Sequence, residues 1–165
     1  MTARAVTIVD ALKTQLLTNA NLTSWITSAR MYTFRDLFSI IDSNPTYPYM
    51  VIDVLDVRSG DADNIRQADV LRQTFPVLIY FFCSSLDEET VKRGALTSTP
   101  AVAGIFDIYD EVINVLRLKP SLGDAVRYAA GQPAFSCSVS REKAGENWIG
   151  GGLVVREFYI DISKY

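Results

Sequence analysis

The chain has 165 residues and a mass of 18.3 kDa, with 48% apolar and 21% charged residues. That is the size of one domain, so 1–165 is expected to fold around a single core, and the composition is too apolar for a disordered chain. The net charge of −3 and pI of about 4.9 disfavour a nucleic-acid binder, and the absence of histidine removes the commonest general base and metal ligand.

The N-terminal stretch has no long apolar core and does not read as a signal peptide. The longest apolar run, Val77 to Cys83, is far short of the ~20 residues that span a bilayer. These features predict a soluble protein made in the cytoplasm, with no membrane partner. Cys83 and Cys137 stand far apart in alternating apolar stretches, which predicts buried thiols rather than a disulfide framework or a CxxC site.

Val6, Val9, Leu12, Leu16 and Leu17 recur at helical spacing and predict a helix over 4–19, with a short turn of helix at 22–26 and Asn21 as its candidate cap. A short strand is expected at 29–34. The stretch 35–47 reads as a long irregular connection. Residues 49–58 read as a strand, 59–69 as a mobile polar hairpin tip, and 70–83 as a second long strand with Leu71, Phe75, Val77, Ile79 and Phe81 on one face. Pro76 argues for an edge position or a bulge. The strongest helix is expected over 100–118, with Thr99 as N-cap and Pro100 in its first turn. Its stripe is Val102, Ile105, Phe106, Tyr109, Val112, Ile113 and Leu116. Residues 134–141 alternate as a strand, 142–152 read as a turn region, and 153–162 as the last strand. The expected fold class is α+β: an antiparallel sheet of about four main strands with two amphipathic helices packed on one face.

Candidate chemical sites are weak. Asp61-Ala62-Asp63-Asn64 matches the opening of a calcium loop, but the sixth and twelfth positions, which need Gly and Glu, hold Arg66 and Arg72. Asp53 and Asp56 alternate to opposite faces of a strand and so do not form a carboxylate pair. Gly150-Gly151-Gly152 lacks the lysine and the following helix of a phosphate cradle, and reads as a flexible hairpin turn. Ser136, Ser138 and Ser140 fit the solvent face of a strand. No catalytic, cofactor-binding or metal-binding residue is assigned, and no cofactor is expected. The apolar residues Leu37, Phe38, Ile40 and Ile41 stand in a connection, where they either fold back on the core or meet another subunit. Trp25 and Trp148 pose the same question, with Trp148, in a polar turn, the better interface candidate.

One resemblance covers nearly the whole chain. The helix containing Ala11-Leu12-Lys13 and Leu16-Leu17 leads into Asn19-Ala20-Asn21-Leu22. A strand with Arg30-Met31-Tyr32 follows, then Pro48-Tyr49-Met50-Val51-Ile52, a polar hairpin tip, an aromatic strand, a long amphipathic helix and a closing hairpin. This layout resembles the tail terminator, or tail-completion, family of long-tailed bacteriophages. The resemblance implies a structural virion protein of the tail and neck, assembled in the host cytoplasm and without a catalytic site. Six copies would form a ring that caps the tail tube, stops its polymerisation and joins the tail to the head connector, with DNA passing through the lumen without sequence-specific binding. The implied partners are further copies of the chain, the tail tube protein and a head–tail connector or stopper. On this reading Asp61, Asp63, Asn64 and Arg66 at the hairpin tip are candidate contacts to the tube or a neighbour. Leu37, Phe38, Ile40, Ile41 and Trp148 are candidate subunit contacts. The long 35–47 connection and the segment 120–133 depart from the family pattern. The competing readings are another neck, connector or tail-tube subunit, and a cytoplasmic α+β binding module outside any phage.

Overall fold

The computed structural model describes residues 4–61, 70–99, 101–123 and 137–163. Among the described residues there are five α-helices: α1 (Arg4–Leu16), α2 (Ala20–Trp25), α3 (Leu37–Asp42), α4 (Glu88–Arg93) and α5 (Ile105–Leu118). Six strands accompany them: β1 (Met31–Thr33), β2 (Tyr49–Val54), β3 (Arg58–Asp61), β4 (Val70–Ser85), β5 (Cys137–Ala144) and β6 (Asn147–Ser163). The fold is α+β, with the strands in one sheet of order β1-β2-β4-β6-β5 and β3 also paired to β4.

Two parts of the expected architecture are corrected. The sheet has six strands and is mixed, because β1 runs parallel to β2 with Met31 opposite Met50. A parallel pair needs a crossover, and the segment between these strands carries α3 across the sheet. The helices also lie on both faces. Met50 and Ile52 point into the main core with α1, α4 and α5, whereas Tyr49 and Val51 point the other way and meet Ile40 of α3. Strand alternation alone produces this division.

The main core is built by that periodicity. Ile8, Val9, Leu12 and Leu16 of α1, and Ile105, Ile108, Val112, Val115 and Leu116 of α5, are buried against the sheet. From β4 come Phe75, Val77, Ile79, Phe81 and Cys83, the face expected from alternation. Each β4 residue pairs with one of β6, from Val70 opposite Ser163 to Ser85 opposite Trp148, so the two strands form the spine of the sheet over roughly 50 Å.

Several local boundaries differ from expectation. The first helix stops at Leu16, and Asn19, not Asn21, caps the next one: its Oδ1 accepts the Leu22 N–H at 2.9 Å. The connection after β1 is not irregular throughout, because the Asp36 carboxylate accepts the Ser39 N–H at 3.1 Å and starts α3. The long helix begins at Ile105 rather than 100. Val102 is held extended in a bridge to Ala95, and the Asp107 carboxylate accepts the Gly104 N–H at 2.9 Å. Thr99 is therefore not its cap, and Pro100 lies outside the described residues.

Pro76 sits in a central strand, not at an edge, yet the bulge expected beside it is present. Val54 pairs with Val77 but Arg58 pairs with Thr74, so the chain opposite β4 carries one extra residue across 55–57. The Pro76 carbonyl accepts the Leu55 N–H at 3.0 Å. Its missing N–H faces that same irregular side, where no ladder bond is lost.

The region 142–152 is corrected most. The β5–β6 hairpin closes at Ala144 opposite Asn147, leaving only Gly145 and Glu146 in the turn. Gly145 has φ of 65°, which a two-residue hairpin turn requires. Gly150, Gly151 and Gly152 are strand residues of β6.

Candidate interaction surfaces

The structure separates the four apolar residues of the 35–47 connection. Ile40 is 1% exposed and packs on Tyr49 and Val51, so it is a core residue. Phe38 and Ile41, on the other side of α3, are 75% and 50% exposed. Leu37 is the first residue of α3, and its side chain lies outside the described set.

Beneath α3 the outer face of the sheet is aromatic. The Tyr49 ring stacks on Phe82 with centroids 4.9 Å apart, and Tyr47 and Tyr32 approach Tyr49 at 5.2 and 6.1 Å. The Arg35 guanidinium lies 5.5 Å from the Tyr32 ring centre. Burial raises the hydroxyl pKa values of both Tyr47 and Tyr49, so these groups stay protonated and serve as hydrogen-bonding and packing groups rather than bases.

Beyond α3 the same face continues as a half-buried apolar band. Leu78 pairs with Val155 and Tyr80 with Leu153, and all four alternate away from the helix-covered core. Charged groups frame the band. Arg72 donates to both Asp161 oxygens at 2.8 and 3.1 Å and lies 4.1 Å from the Tyr159 ring centre. Arg58 reaches Asp56 at 3.0 Å and Glu157 at 3.9 Å. Desolvated in part, the bidentate Arg72 pair is the stronger of the two; the Arg58 pairs are solvent-screened. Sequence reading missed this band. Alternation in β4 and β6 is masked where both faces are apolar, and only the placement of the helices shows which face stays open.

The other candidates are distributed rather than gathered. Asp61 ends β3 opposite Leu71, while Asp63, Asn64 and Arg66 lie outside the described residues. Trp148 is not in a turn: it stands in β6 opposite Ser85 and Lys143, and it packs, as Trp25 does, against the main core while half-buried. Its assignment as the better interface candidate loses the turn on which it rested. The Asp53 carboxylate accepts the Val54 N–H at 2.8 Å, and Asp56 is held by Arg58, so each acid is engaged separately. Ser138 and Ser140 pair with Leu153 and Gly151 in β5, and Ser136 lies outside the described residues.

Cys83 is buried and unbridged, and burial followed by the nearby Asp107 charge pushes its thiol up to about 12. The side chain of Cys137 lies outside the described set. Among the described residues no group of three or more His, Cys, Asp or Glu side chains is placed to hold a metal ion, and no helix is long and apolar enough to cross a membrane.

What the described surfaces offer chemically is complementarity. An open sheet face with a charged frame and an exposed helix edge can bind another macromolecule without performing a reaction. No protein-family model matches the chain, and no curated protein is similar to it at a significant level.

Proposed function

We propose that this chain is a structural virion protein, a tail terminator of a long-tailed bacteriophage. It assembles as a ring of six copies, caps the tail tube and ends its polymerisation, and offers its far side to the head connector. It performs no catalysis and needs no cofactor. DNA crosses the lumen without being gripped, in keeping with the acidic net charge of −3. The order of elements in the sequence motivates the reading.

The observation that carries it is the outer sheet face. The Leu78–Val155 and Tyr80–Leu153 pairs are left half-exposed beside the outward Phe38 and Ile41 of α3. An apolar band of this kind, framed by ion pairs, suits a contact with another copy, which on the ring reading runs head-to-tail. When such a heterologous contact closes it makes a ring, and when it does not it makes a filament.

The test is the mass of the purified chain by light scattering over a range of concentrations, with negative-stain images of the same sample and of the sample mixed with tail tubes. Six-membered rings, or capped tube ends, are expected. Open filaments would replace the reading with a tube subunit. A monomer that leaves tube ends bare would overturn it in favour of a binding module.

A further inference from the structure

A cleft of about 330 Å³ opens where α2, the start of β2 and the end of β4 meet the extended segment before α5. Its lining includes Trp25, Arg30, Tyr47, Ser84 and Val102, and Cys83 also contributes. Among the described residues no acidic side chain lines it, and Asp107 is the acid that acts on the Cys83 thiol. Arg30 is half-buried, and its Nη1 donates to the Tyr47 and Pro48 carbonyls at 3.1 and 3.3 Å. Those bonds orient the guanidinium plane. Its Nε makes only a long contact of 3.5 Å to the Thr27 hydroxyl, and no carboxylate among the described residues lies within 4.0 Å of the group. A half-buried cation fixed by neutral carbonyls, with no acid among the described lining residues, suits an anion.

The shape narrows the anion. One guanidinium edge matches the two oxygens of a planar carboxylate. The Ser84 hydroxyl is a second donor in the lining. A polyphosphate backbone would need a field of several cations, and Arg30 is the single cation among the described lining residues. The Trp25, Pro48 and Val102 walls suit an aliphatic stem behind the carboxylate, and the volume stands near the lower end of ligand pockets, enough for one side chain. We infer that this cleft receives an acidic side chain, Glu in particular, presented by a protein partner. The inference rests on the cleft alone and stands or falls independently of the ring.

The test uses the full chain and the capped peptide acetyl-Ala-Glu-Ala-amide, followed by calorimetry and by tryptophan fluorescence, since Trp25 lines the cleft. Acetyl-Ala-Gln-Ala-amide is the neutral control, and propionate is the free small acid. The Glu peptide is expected to bind at least about tenfold more tightly than the Gln peptide, the worth of one charge-assisted contact, and more tightly than propionate. Arg30→Gln should abolish the difference between Glu and Gln. Because Arg30 also ties the Tyr47–Pro48 turn, Ala101→Phe serves as a second variant. It narrows the exposed rim, leaves the guanidinium bonds in place, and should weaken the Glu peptide while the melting temperature holds. Equal binding of the Glu and Gln peptides, no binding of either, or an undiminished Glu preference in Arg30→Gln would overturn the inference. Propionate binding as tightly as the Glu peptide would overturn its protein-partner element and assign the cleft to a free acid.

Discussion

Phe81 and Gly152 face each other across the β4–β6 pair, and the Phe81 ring occupies the space that a side chain at 152 would need. A Cβ there would also press on Ile105 of α5, and one at Gly150 would collide with Val91 and Ile105. Pairing with β4 and β5 makes these two residues strand, and glycine is needed there because α4, α5 and an aromatic ring close directly onto their backbone. At Gly150 and Gly152, in the triplet that looks like a turn, helix side chains pack directly on the sheet backbone.

Gly152→Ala is therefore expected to destabilise the protein by about 1–3 kcal/mol through overpacking. Denaturant unfolding measures it. The loss in the Gly152→Ala, Phe81→Leu double variant should fall short of the sum of the single losses, because the two side chains compete for one volume. Strict additivity would show that the contact is not the cause.

Glu111 joins α5 to the start of α2. Asn21 and Asn19 donate to its two oxygens at 2.8 and 2.7 Å, and these bonds hold the Glu111 carboxyl below its ordinary value. A depressed folded-state pKa contributes stability that is complete above the unfolded value of about 4.3 and is lost as pH falls through the folded value. Asn21→Ala should lower the melting temperature slightly at neutral pH and match the wild type once the pH is below that window. Asn19→Ala should keep a loss of about 1 kcal/mol at both pH values, because it also removes the α2 cap. Melting curves across the two pH values separate the cases.

The two sides of α3 should respond in opposite ways. Ile40→Ala empties a core position and is expected to cost roughly 2–5 kcal/mol in chemical unfolding. Phe38→Ser and Ile41→Ser, at exposed positions, should change stability by no more than about 0.5 kcal/mol. On the ring proposal they should instead shift light-scattering mass toward the monomer. Unchanged assembly in both would remove α3 from the contact.

Cys83 should resist alkylation in the native protein. Its thiol is pushed up to about 12 and buried, so at pH 8 both the thiolate fraction and access are small. Peptide mapping after iodoacetamide treatment should find Cys83 unmodified until denaturant is added. Rapid native labelling at that position would show that the thiol is reached, either through the cleft it helps to line or by opening of the end of β4.

Periodic segments were legible from the chain itself. The stripes of α1 and α5 and the alternation of Phe75, Val77, Ile79 and Phe81 appear where expected, because a 3.6- or 2-residue apolar repeat admits few alternatives. Of the candidate contact residues, Phe38 and Ile41 are outward as an interface needs, Ile40 is core, and Trp148 leans on the core from a strand. Sequence could not divide Phe38 from Ile40, since a six-residue helix is too short to display a clear stripe.

What the sequence by itself determined is the α+β class and the inward faces of its longest elements, because apolar period and burial are local consequences of composition along the chain. The tertiary structure decided the rest. Pairing with β4 and β5 turned the apparent turn at Gly150–Gly152 into strand, the crossover through α3 made β1 parallel, and the bulge opposite Pro76 let a proline stand in a central strand. Each depends on which distant backbone arrives at that point, and short-range propensity is too weak to oppose it.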